Sequence, residues 1–222
     1  MTQNRSSAVM QQRSEPHDSL DDFPTPPWAT RTLCRFLRGH LLQHLQLVTV
    51  EEPCANRGHM VRVLAEQFDH VSASDIHDYG AGFPVRDYLF PNPNAARVGW
   101  TITNPPFRLA DQIILTALER SMIGVAVLVR SAFLEGVTRH NTLFVVSPPT
   151  HVLQFSERVV MHRGTLSEKG STATAYCWLI WHKPGMGAPT QFHWTGPVRR
   201  SVEVPGDYPE DGMAEIDWGR VN

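Results

Sequence analysis

The sequence Asn104-Pro105-Pro106-Phe107 brings together three groups that could act on a planar amine. The Asn104 amide and the Pro105 carbonyl offer two oxygen acceptors, and Phe107 offers a ring on which a base could stack. Because proline has no N–H to donate to a sheet ladder, the β-branched run over 98–103 must end as a strand at this point. Open α/β sheets bind ligands at the carboxyl ends of their strands. The tetrapeptide therefore indicates methylation of the exocyclic amino group of a flat base.

Two acidic residues follow earlier predicted strands in a similar way. Glu52 begins a turn that runs to Gly58, and such a strand-to-helix turn lets backbone N–H groups approach a polar ligand. The turn is neither a P-loop nor GxGxxG, and Asn56, which tolerates left-handed backbone geometry, holds a position where glycine is usual. Asp75 ends the next strand, at about the spacing of an acid that binds ribose hydroxyls. Either acid alone is explained by a solvated loop or a turn cap; together they favour a ribose-containing ligand.

The pattern along the chain predicts an α/β fold with a doubly wound, mostly parallel sheet, because helices and strands alternate. Hydrophobic periodicity predicts helices over Thr30–His44, His59–Phe68 and Leu109–Arg120. Short apolar or β-branched runs predict strands over Leu47–Val50, Val71–Ser74, Val98–Thr103, Val125–Val129 and Thr174–Trp181.

The remaining segments set the expected domain boundaries. Residues 1–22 are polar and without periodicity, which predicts a disordered N-terminal arm. Phe23–Trp28 contains three prolines and is expected to be rigid and extended. One domain is expected over 23–183, with an irregular stretch at 130–172, followed by a Pro/Gly-rich, acidic C-terminal tail at 184–222 that frays towards its end.

The composition is that of a globular protein and excludes several classes. The chain has 222 residues, 41% of them hydrophobic, and a formal net charge of −2. No apolar run approaches the roughly 18 residues of a membrane-spanning helix, so no membrane partner is expected. The three cysteines are far apart and the histidines form no ligand pair, so we expect no metal site and no disulfide, and a cytoplasmic location. The net charge means that a nucleic acid would have to be held by a local basic patch.

At this point the chain resembles the S-adenosylmethionine-dependent amino-DNA methyltransferases, in particular the small N6-adenine enzymes often encoded by phages and prophages. The resemblance covers roughly residues 23–183. It is carried by the order and spacing of FPTPPWAT (23–30), VEEPCANRGHM (50–60), ASD (73–75), RDYL (86–89) and TNPPF (103–107). It implies a Rossmann-like class I methyltransferase that binds S-adenosyl-L-methionine and acts on bacterial or phage DNA, most often at adenine N6, with flipping of the target base.

The resemblance also implies a role for individual residues. The segment that closes over the methionine end of the cofactor matches Phe23, Thr25 and Pro26. The loop under its amino-acid and sulfonium region matches Glu52, Ala55 and Gly58. The ribose and adenine contacts match Asp75, Ile76, Asp87 and Tyr88. The catalytic motif matches Asn104, Pro105, Pro106 and Phe107.

Basic residues in and beside the irregular segment form the expected DNA-facing patch. Each alone is best explained as a solvated surface residue, and only the group suggests a function. The group consists of Arg108, Arg130, Arg139, His140, Arg158, His162, Arg163 and Lys169. By contrast, Trp178 and Trp181, three residues apart on one strand, are expected to face opposite sides of the sheet and to serve as packing.

Two other readings stay open from the sequence. An RNA or protein-amide methyltransferase would use the same Asn-Pro-Pro chemistry on a planar amine or amide. A non-catalytic methyltransferase fold that only binds DNA or a partner protein would fit the asparagine at position 56, whereas the intact Asn104–Phe107 motif favours an enzyme.

Overall fold

The structure is a computed structural model that describes residues 20–41, 44–90, 92 and 96–221. Its seven strands form one sheet in the order β2-β1-β3-β4-β6-β5-β7. The strands are β1 (Thr49–Glu52), β2 (His70–Ala73), β3 (Val98–Thr103), β4 (Ser121–Arg130), β5 (His151–Phe155), β6 (Tyr176–His182) and β7 (Gln191–Thr195). Of these described strands, β6 alone is antiparallel to its neighbours, so the predicted mostly parallel sheet is confirmed.

Helices cover both faces of the sheet. They are α1 (Pro27–His40), α2 (His59–Gln67), α3 (Ala110–Arg120), and the short α4 (Val137–Arg139) and α5 (Arg199–Val202). One apolar core packs α1 and α2 against the sheet, and a second packs α3 against the other face. Every residue of β3 is buried, as expected for a central parallel strand whose two faces are covered. The β6 residues Trp178 and Trp181 lie in different cores, which confirms that they pack on opposite faces.

The first helix begins earlier than predicted. Pro26 is extended, with φ −58° and ψ 130°, but Pro27 and Trp28 are already helical. Proline suits the first helical position because it has no N–H to leave unpaired there and its φ is fixed near the helical value. The prediction of an extended segment is therefore correct up to Pro26 and wrong for Pro27 and Trp28.

Two segments predicted as irregular contribute strands to the sheet. Within 130–172, β5 lies beside β6, and within 184–222, β7 pairs with β5 in parallel. Val221 forms a bridge with Val71 at the opposite edge of the sheet, and the Val71 N–H donates to Arg220 O at 2.9 Å. The expected frayed tail is thus folded onto the domain as far as residue 221. The arm predicted for 1–22 lies mostly outside the described residues; of its described part, Leu20 is exposed and Asp21 and Asp22 are partly buried.

A buried ion-pair network attaches the C-terminal segment to the helices. The Arg31 guanidinium on α1 donates two hydrogen bonds to the Asp207 carboxylate, at 2.6 and 2.9 Å. It donates two more to Glu66 on α2, at 2.7 and 2.6 Å. The Asp207 side chain is 0% exposed and also pairs with Arg62 at 3.3 Å. Bidentate pairing of this kind fixes geometry as well as charge.

We expect Asp207→Asn to lower the free energy of unfolding by roughly 3 kcal/mol, because it leaves the buried Arg31 short of negative charge. Urea unfolding followed by tryptophan fluorescence measures the change. The matched control is Asp217→Asn, which removes an exposed partner of Arg220 and is expected to cost less than about 1 kcal/mol. An equal loss in both variants would contradict a structural role for the buried network.

No described helix is long and apolar enough to cross a membrane.

Candidate active site

A cleft opens at the carboxyl ends of β1, β2 and β3. Its lining includes the residues that follow each of these strands, because parallel strands end at the same edge of a sheet. The predicted site residues that line it are Phe23, Thr25, Glu52, Ala55, Asp75, Ile76, Asp87, Tyr88, Asn104 and Pro106. The structure therefore brings ten separately predicted residues to one cavity.

Glu52 is the buried carboxyl group of the cleft. Its Oε1 accepts hydrogen bonds from Thr103 Oγ1 at 2.6 Å and from the Cys54 N–H at 2.8 Å. Its Oε2 is buried and has no hydrogen-bond partner among the described residues. Burial raises the pKa of Glu52 to about 8, since desolvation disfavours the charged form. A cationic ligand in the cleft would reverse that effect and favour the carboxylate.

Asn104 is held in one orientation by its amide nitrogen. Nδ2 donates to Phe23 O at 3.1 Å and to Thr25 Oγ1 at 2.9 Å. Because the Phe23 carbonyl can only accept, the nitrogen end of the amide must face it, and this fixes where the oxygen end lies. Asn104 Oδ1 is buried and has no hydrogen-bond partner among the residues described. It is therefore an oriented acceptor with its lone pairs unused.

Asp75 and Asn56 join the ends of β2 and β1. The Asn56 N–H donates to Asp75 Oδ2 at 2.8 Å, and the His77 N–H donates to Asp75 Oδ1 at 3.0 Å. Burial raises the pKa of Asp75. Asn56 has φ +50°, the left-handed geometry that glycine usually supplies in such turns. The asparagine thus preserves the turn that the sequence predicted.

The Phe107 ring belongs to an aromatic cluster beside Asn104. The Phe23 ring lies 5.7 Å away and the Tyr176 ring 6.5 Å away, measured between centroids. The Arg130 guanidinium lies over the Phe107 ring at 4.0 Å from its centroid. Phe107 thus meets a planar cation, the kind of partner that stacks on an aromatic ring. The structure places Phe107 and Arg130 together, although they come from different strand ends.

The other predicted cofactor and motif residues support the cleft from outside its lining. Gly58 precedes α2 with φ +87°, a left-handed geometry that favours glycine, and a Cβ there would lie 2.8 Å from Ile216 Cδ1. Pro26 caps α1, and Pro105 is buried. Within the lining, Asp87 accepts the Leu89 N–H at 2.9 Å and so caps a turn.

The Tyr88 hydroxyl is hydrogen-bonded within the domain. It donates to Glu51 Oε1 at 2.7 Å, and the Arg120 guanidinium lies 4.5 Å from its ring centroid. Only the rest of the Tyr88 side chain is left to face the cleft.

Several lining residues were not predicted from the sequence. They are Leu20, Asp21, Pro24, Pro53, Cys54, Asn56, His59, Met60, Tyr79, Arg86, Leu89, Leu109 and Ile113. Met60 and Ile113 lie on the first turns of helices whose start points were predicted, so helix position could have suggested them. Leu20 and Asp21 gave no signal, because they lie in a polar arm without periodicity.

The predicted basic patch follows the same edge of the sheet as the cleft. Arg108 comes after β3, Arg130 ends β4, and Arg158, His162, Arg163 and Lys169 lie in the connection between β5 and β6. That connection starts and ends at the carboxyl edge, because β6 is antiparallel to β5. The topology therefore puts these basic residues on the side of the domain that carries Asn104.

Arg139 differs from the rest of the predicted patch. Its guanidinium pairs with Asp111 at 2.9 Å, donates to the Phe133 and Glu135 carbonyls, and lies 3.8 Å from the Phe133 ring centroid. These contacts occupy its donors within the domain, so its first role is to hold the α4 turn against α3. The neighbouring His140 is exposed and contacts Asn141.

Among the described residues, no group of three His, Cys, Asp or Glu side chains is arranged to hold a metal ion.

Neither a protein-family model nor a curated protein sequence matches the chain. Solved structures do. A proposed RNA methyltransferase from Pyrococcus horikoshii has a TM-score of 0.54 and 18% identity over 79% of this chain and 95% of its own. Magnesium protoporphyrin IX methyltransferase from Synechocystis PCC 6803, solved with bound S-adenosylmethionine, has a TM-score of 0.51 and 11% identity over 70% and 79% of the two chains.

A third solved structure comes from a restriction-modification system. The type I methyltransferase subunit from Streptococcus thermophilus has a TM-score of 0.55 and 10% identity. The match covers 89% of this chain but only 51% of that subunit.

The chain has the Rossmann-like fold of class I methyltransferases. The names of the three neighbours point to different substrates, and their identities are low, so the similarity concerns the methyltransferase fold alone. What this methyltransferase fold binds and modifies has to be argued from the residues of the cleft.

We expect the stability of the ligand-free protein to fall as pH rises from about 5 to 8, in part through Glu52. A carboxyl group whose pKa is raised on folding to about 8 binds more protons in the folded than in the unfolded state over that range. Glu52→Gln keeps the shape and cannot ionise, so its unfolding midpoint should fall less between pH 5 and pH 8. Thermal unfolding at both pH values measures this; parallel decreases in the two proteins would contradict the raised pKa.

Proposed function

We propose that the protein is an S-adenosylmethionine-dependent methyltransferase of an exocyclic amino group in DNA, with adenine N6 as the target. The observation that carries this proposal is the oriented Asn104 Oδ1, which is close in sequence to Phe107 and has no hydrogen-bond partner in the described part of the chain. An acceptor without a partner is costly to bury, so its retention is best explained by a donor that arrives with the substrate.

The cleft suits S-adenosylmethionine chemically. Its sulfonium and ammonium groups are cationic, and Glu52 Oε2, which no described residue hydrogen-bonds, is a buried acceptor for positive charge. The Asp75 oxygens accept the Asn56 and His77 N–H groups, and their remaining lone pairs could accept ribose hydroxyls. Ile76 and the Tyr79 ring supply apolar surface for an adenine. When bound, the cofactor would supply an activated methyl group.

Asn104 and Pro105 would prepare the target amine. The lone pair of an exocyclic adenine amine is delocalised into the ring, which makes it a poor nucleophile. Two hydrogen bonds, from the amine to Asn104 Oδ1 and to the Pro105 carbonyl, would localise the lone pair on nitrogen. The localised lone pair could then accept the methyl group that the cofactor would supply, and the proton lost from the methylated nitrogen would pass to solvent. Acceptors fixed before the reaction stabilise the developing positive charge without reorganising.

The aromatic cluster supports a flipped base as the substrate. Stacking of a base on an aromatic side chain contributes about 1–3 kcal/mol, which offsets part of the cost of removing the base from a duplex. Arg130 now lies on the Phe107 ring, so it would have to move aside or stack on the base in turn. The basic residues along the same edge favour a nucleic acid over a protein amide, and the resemblance to amino-DNA enzymes favours DNA over RNA.

We expect Asn104→Ala to reduce methyl transfer at least about 100-fold, the usual loss when one preorganised hydrogen-bonding group is removed from an active site. Each variant is expressed in a methylation-free host, and modified bases are mapped across the genome, which also identifies the base and its sequence context. Gln191→Ala, at an exposed position on β7, is the control. Cofactor binding by Asn104→Ala, measured calorimetrically, should change little.

Retained methylation in Asn104→Ala would refute the role of the amide. Absence of any modified base with the unaltered protein would refute the function itself.

We expect Lys169→Gln to weaken DNA binding. The plot of the logarithm of the association constant against the logarithm of salt concentration should become less steep by up to about 1, as for the loss of one phosphate contact. The control is Lys183→Gln, because Lys183 follows β6 at the opposite edge of the sheet. Fluorescence anisotropy with a labelled duplex at several salt concentrations measures both slopes. Equal slopes for the two variants would show that DNA binds to a different face of the domain.

A further inference from the structure

Residues Leu20–Phe23 form a short strap between the loop after β1 and the Asn104–Phe107 motif. On one side, Asp22 Oδ1 accepts hydrogen bonds from Arg57 Nη1 and Asn56 Nδ2, both at 2.8 Å. Asp22 Oδ2 accepts a third from Arg57 Nη2 at 3.0 Å. A carboxylate that receives a forked guanidinium and an amide is held in position as well as in charge.

On its other side the strap holds the motif. The Phe23 carbonyl accepts a hydrogen bond from Asn104 Nδ2, which also donates to Thr25 Oγ1, just beyond the strap, and to Met161 Sδ at 3.8 Å. The Phe107 N–H donates to the Asp21 carboxylate. Asp22, which binds the loop after β1, is therefore the direct neighbour of Phe23, which binds the Asn104 amide.

Asn56 has a reason to be asparagine in this arrangement. Glycine would adopt φ +50° as easily, but it would offer no side-chain donor to Asp22. The Asn56 amide uses both ends, because its Oδ1 also accepts the Arg57 N–H at 2.8 Å. Its own N–H binds Asp75, so one residue connects the strap to the acid proposed for the ribose.

The ionisation of Asp22 suits this role. Burial alone would raise the pKa of Asp22, but the hydrogen bonds from Arg57 and Asn56 outweigh it and hold the pKa below its ordinary value. The carboxylate is therefore charged at neutral pH and available to the guanidinium.

We propose that Asp22 is a positioning residue for methyl transfer, which ties the strap to the β1 loop so that Asn104 Oδ1 stays oriented towards the substrate amine. This inference rests on the proposed function. It predicts that loss of the Asp22 contacts with the β1 loop also disturbs the orientation of Asn104. Asp22 would act on Asn104 through its neighbour Phe23 and not by direct contact.

The test compares Asp22→Asn with Asp69→Asn. The first keeps the shape and turns an NH₂ group or a neutral oxygen towards Arg57. The second neutralises an exposed acid that pairs with Arg220 at 3.5 Å, away from the cleft. We expect kcat to fall about tenfold or more in Asp22→Asn, the factor that corresponds to losing one hydrogen bond to a charged group, with a smaller change in the KM for DNA. Asp69→Asn should keep the kcat of the unaltered protein.

Arg57→Gln should lower kcat similarly, and the double variant should be little worse than either single one, because all three break the same contact. Asn56→Gly should lower kcat by a smaller factor, since Arg57 remains. An unchanged kcat in Asp22→Asn, or additive losses in the double variant, would overturn the proposal. A higher kcat would also overturn it, and would identify the strap as an obstruction of the cleft.

Hydrogen exchange provides a readout that does not depend on catalysis. The Gly164 N–H donates to Asp22 O at 2.8 Å, and the Phe107 N–H donates to Asp21. Both amides should exchange faster in Asp22→Asn and not in Asp69→Asn. If the unaltered protein methylates nothing, the proposed function fails while this measurement still tests the coupling; unchanged exchange at both amides would refute the coupling itself.

Discussion

Parallel pairing between β1 and β3 brings the carboxyl ends of two strands side by side, with Val50 opposite Trp100 and Glu51 opposite Thr101. The register continues into the site, where Glu52 at the end of β1 accepts the Thr103 hydroxyl at the end of β3. The residue after Thr103 is Asn104. The buried acid and the oriented amide are thus separated by one hydrogen bond and one peptide unit, so a change in the pairing of these strands would displace both.

The two acidic residues of the cleft differ in burial and in how they are held. Glu52 is buried, with a raised pKa and one oxygen that no described residue hydrogen-bonds, whereas Asp75 follows β2 and is fixed by backbone N–H groups. Desolvation makes the buried carboxyl group reluctant to ionise until positive charge arrives. Occupancy of the cleft and the protonation of Glu52 are therefore linked, and both connect through β3 to the amide that would receive the amine.

Most of the fold and much of the cleft could be predicted from the sequence, because they depend on local patterns. The runs in β3 and β4 are apolar and β-branched enough to be recognised, and each is followed by residues whose chemistry is distinctive. The parts that escaped prediction depend on distant contacts. The strand β7 reads QFHWT, with little β-branching, in a Pro/Gly-rich setting, and it becomes a strand through pairing with β5. Asp207 looks like a solvated acid until Arg31 is found against it.

Position 56 illustrates the limit of reading single residues. From the sequence, asparagine there was a departure from glycine that counted against the cofactor loop. In the structure the same residue adopts the required geometry and binds Asp22, a residue from a segment expected to be disordered. Its partner is 34 positions away, and no local pattern could have paired them.

The C-terminal segment reaches both margins of the sheet, since β7 lies outside β5 at one side and Val221 bridges to β2 at the other. Free strand edges expose unpaired backbone groups and invite association between chains. During synthesis the amino-terminal part emerges first, and the two outermost positions of the sheet stay open until residues 191–221 have left the ribosome. A nascent chain therefore carries the residues of the cleft before its sheet is complete, because without residues 191–221 β5 would be an edge strand and β2 would lack the bridge to Val221.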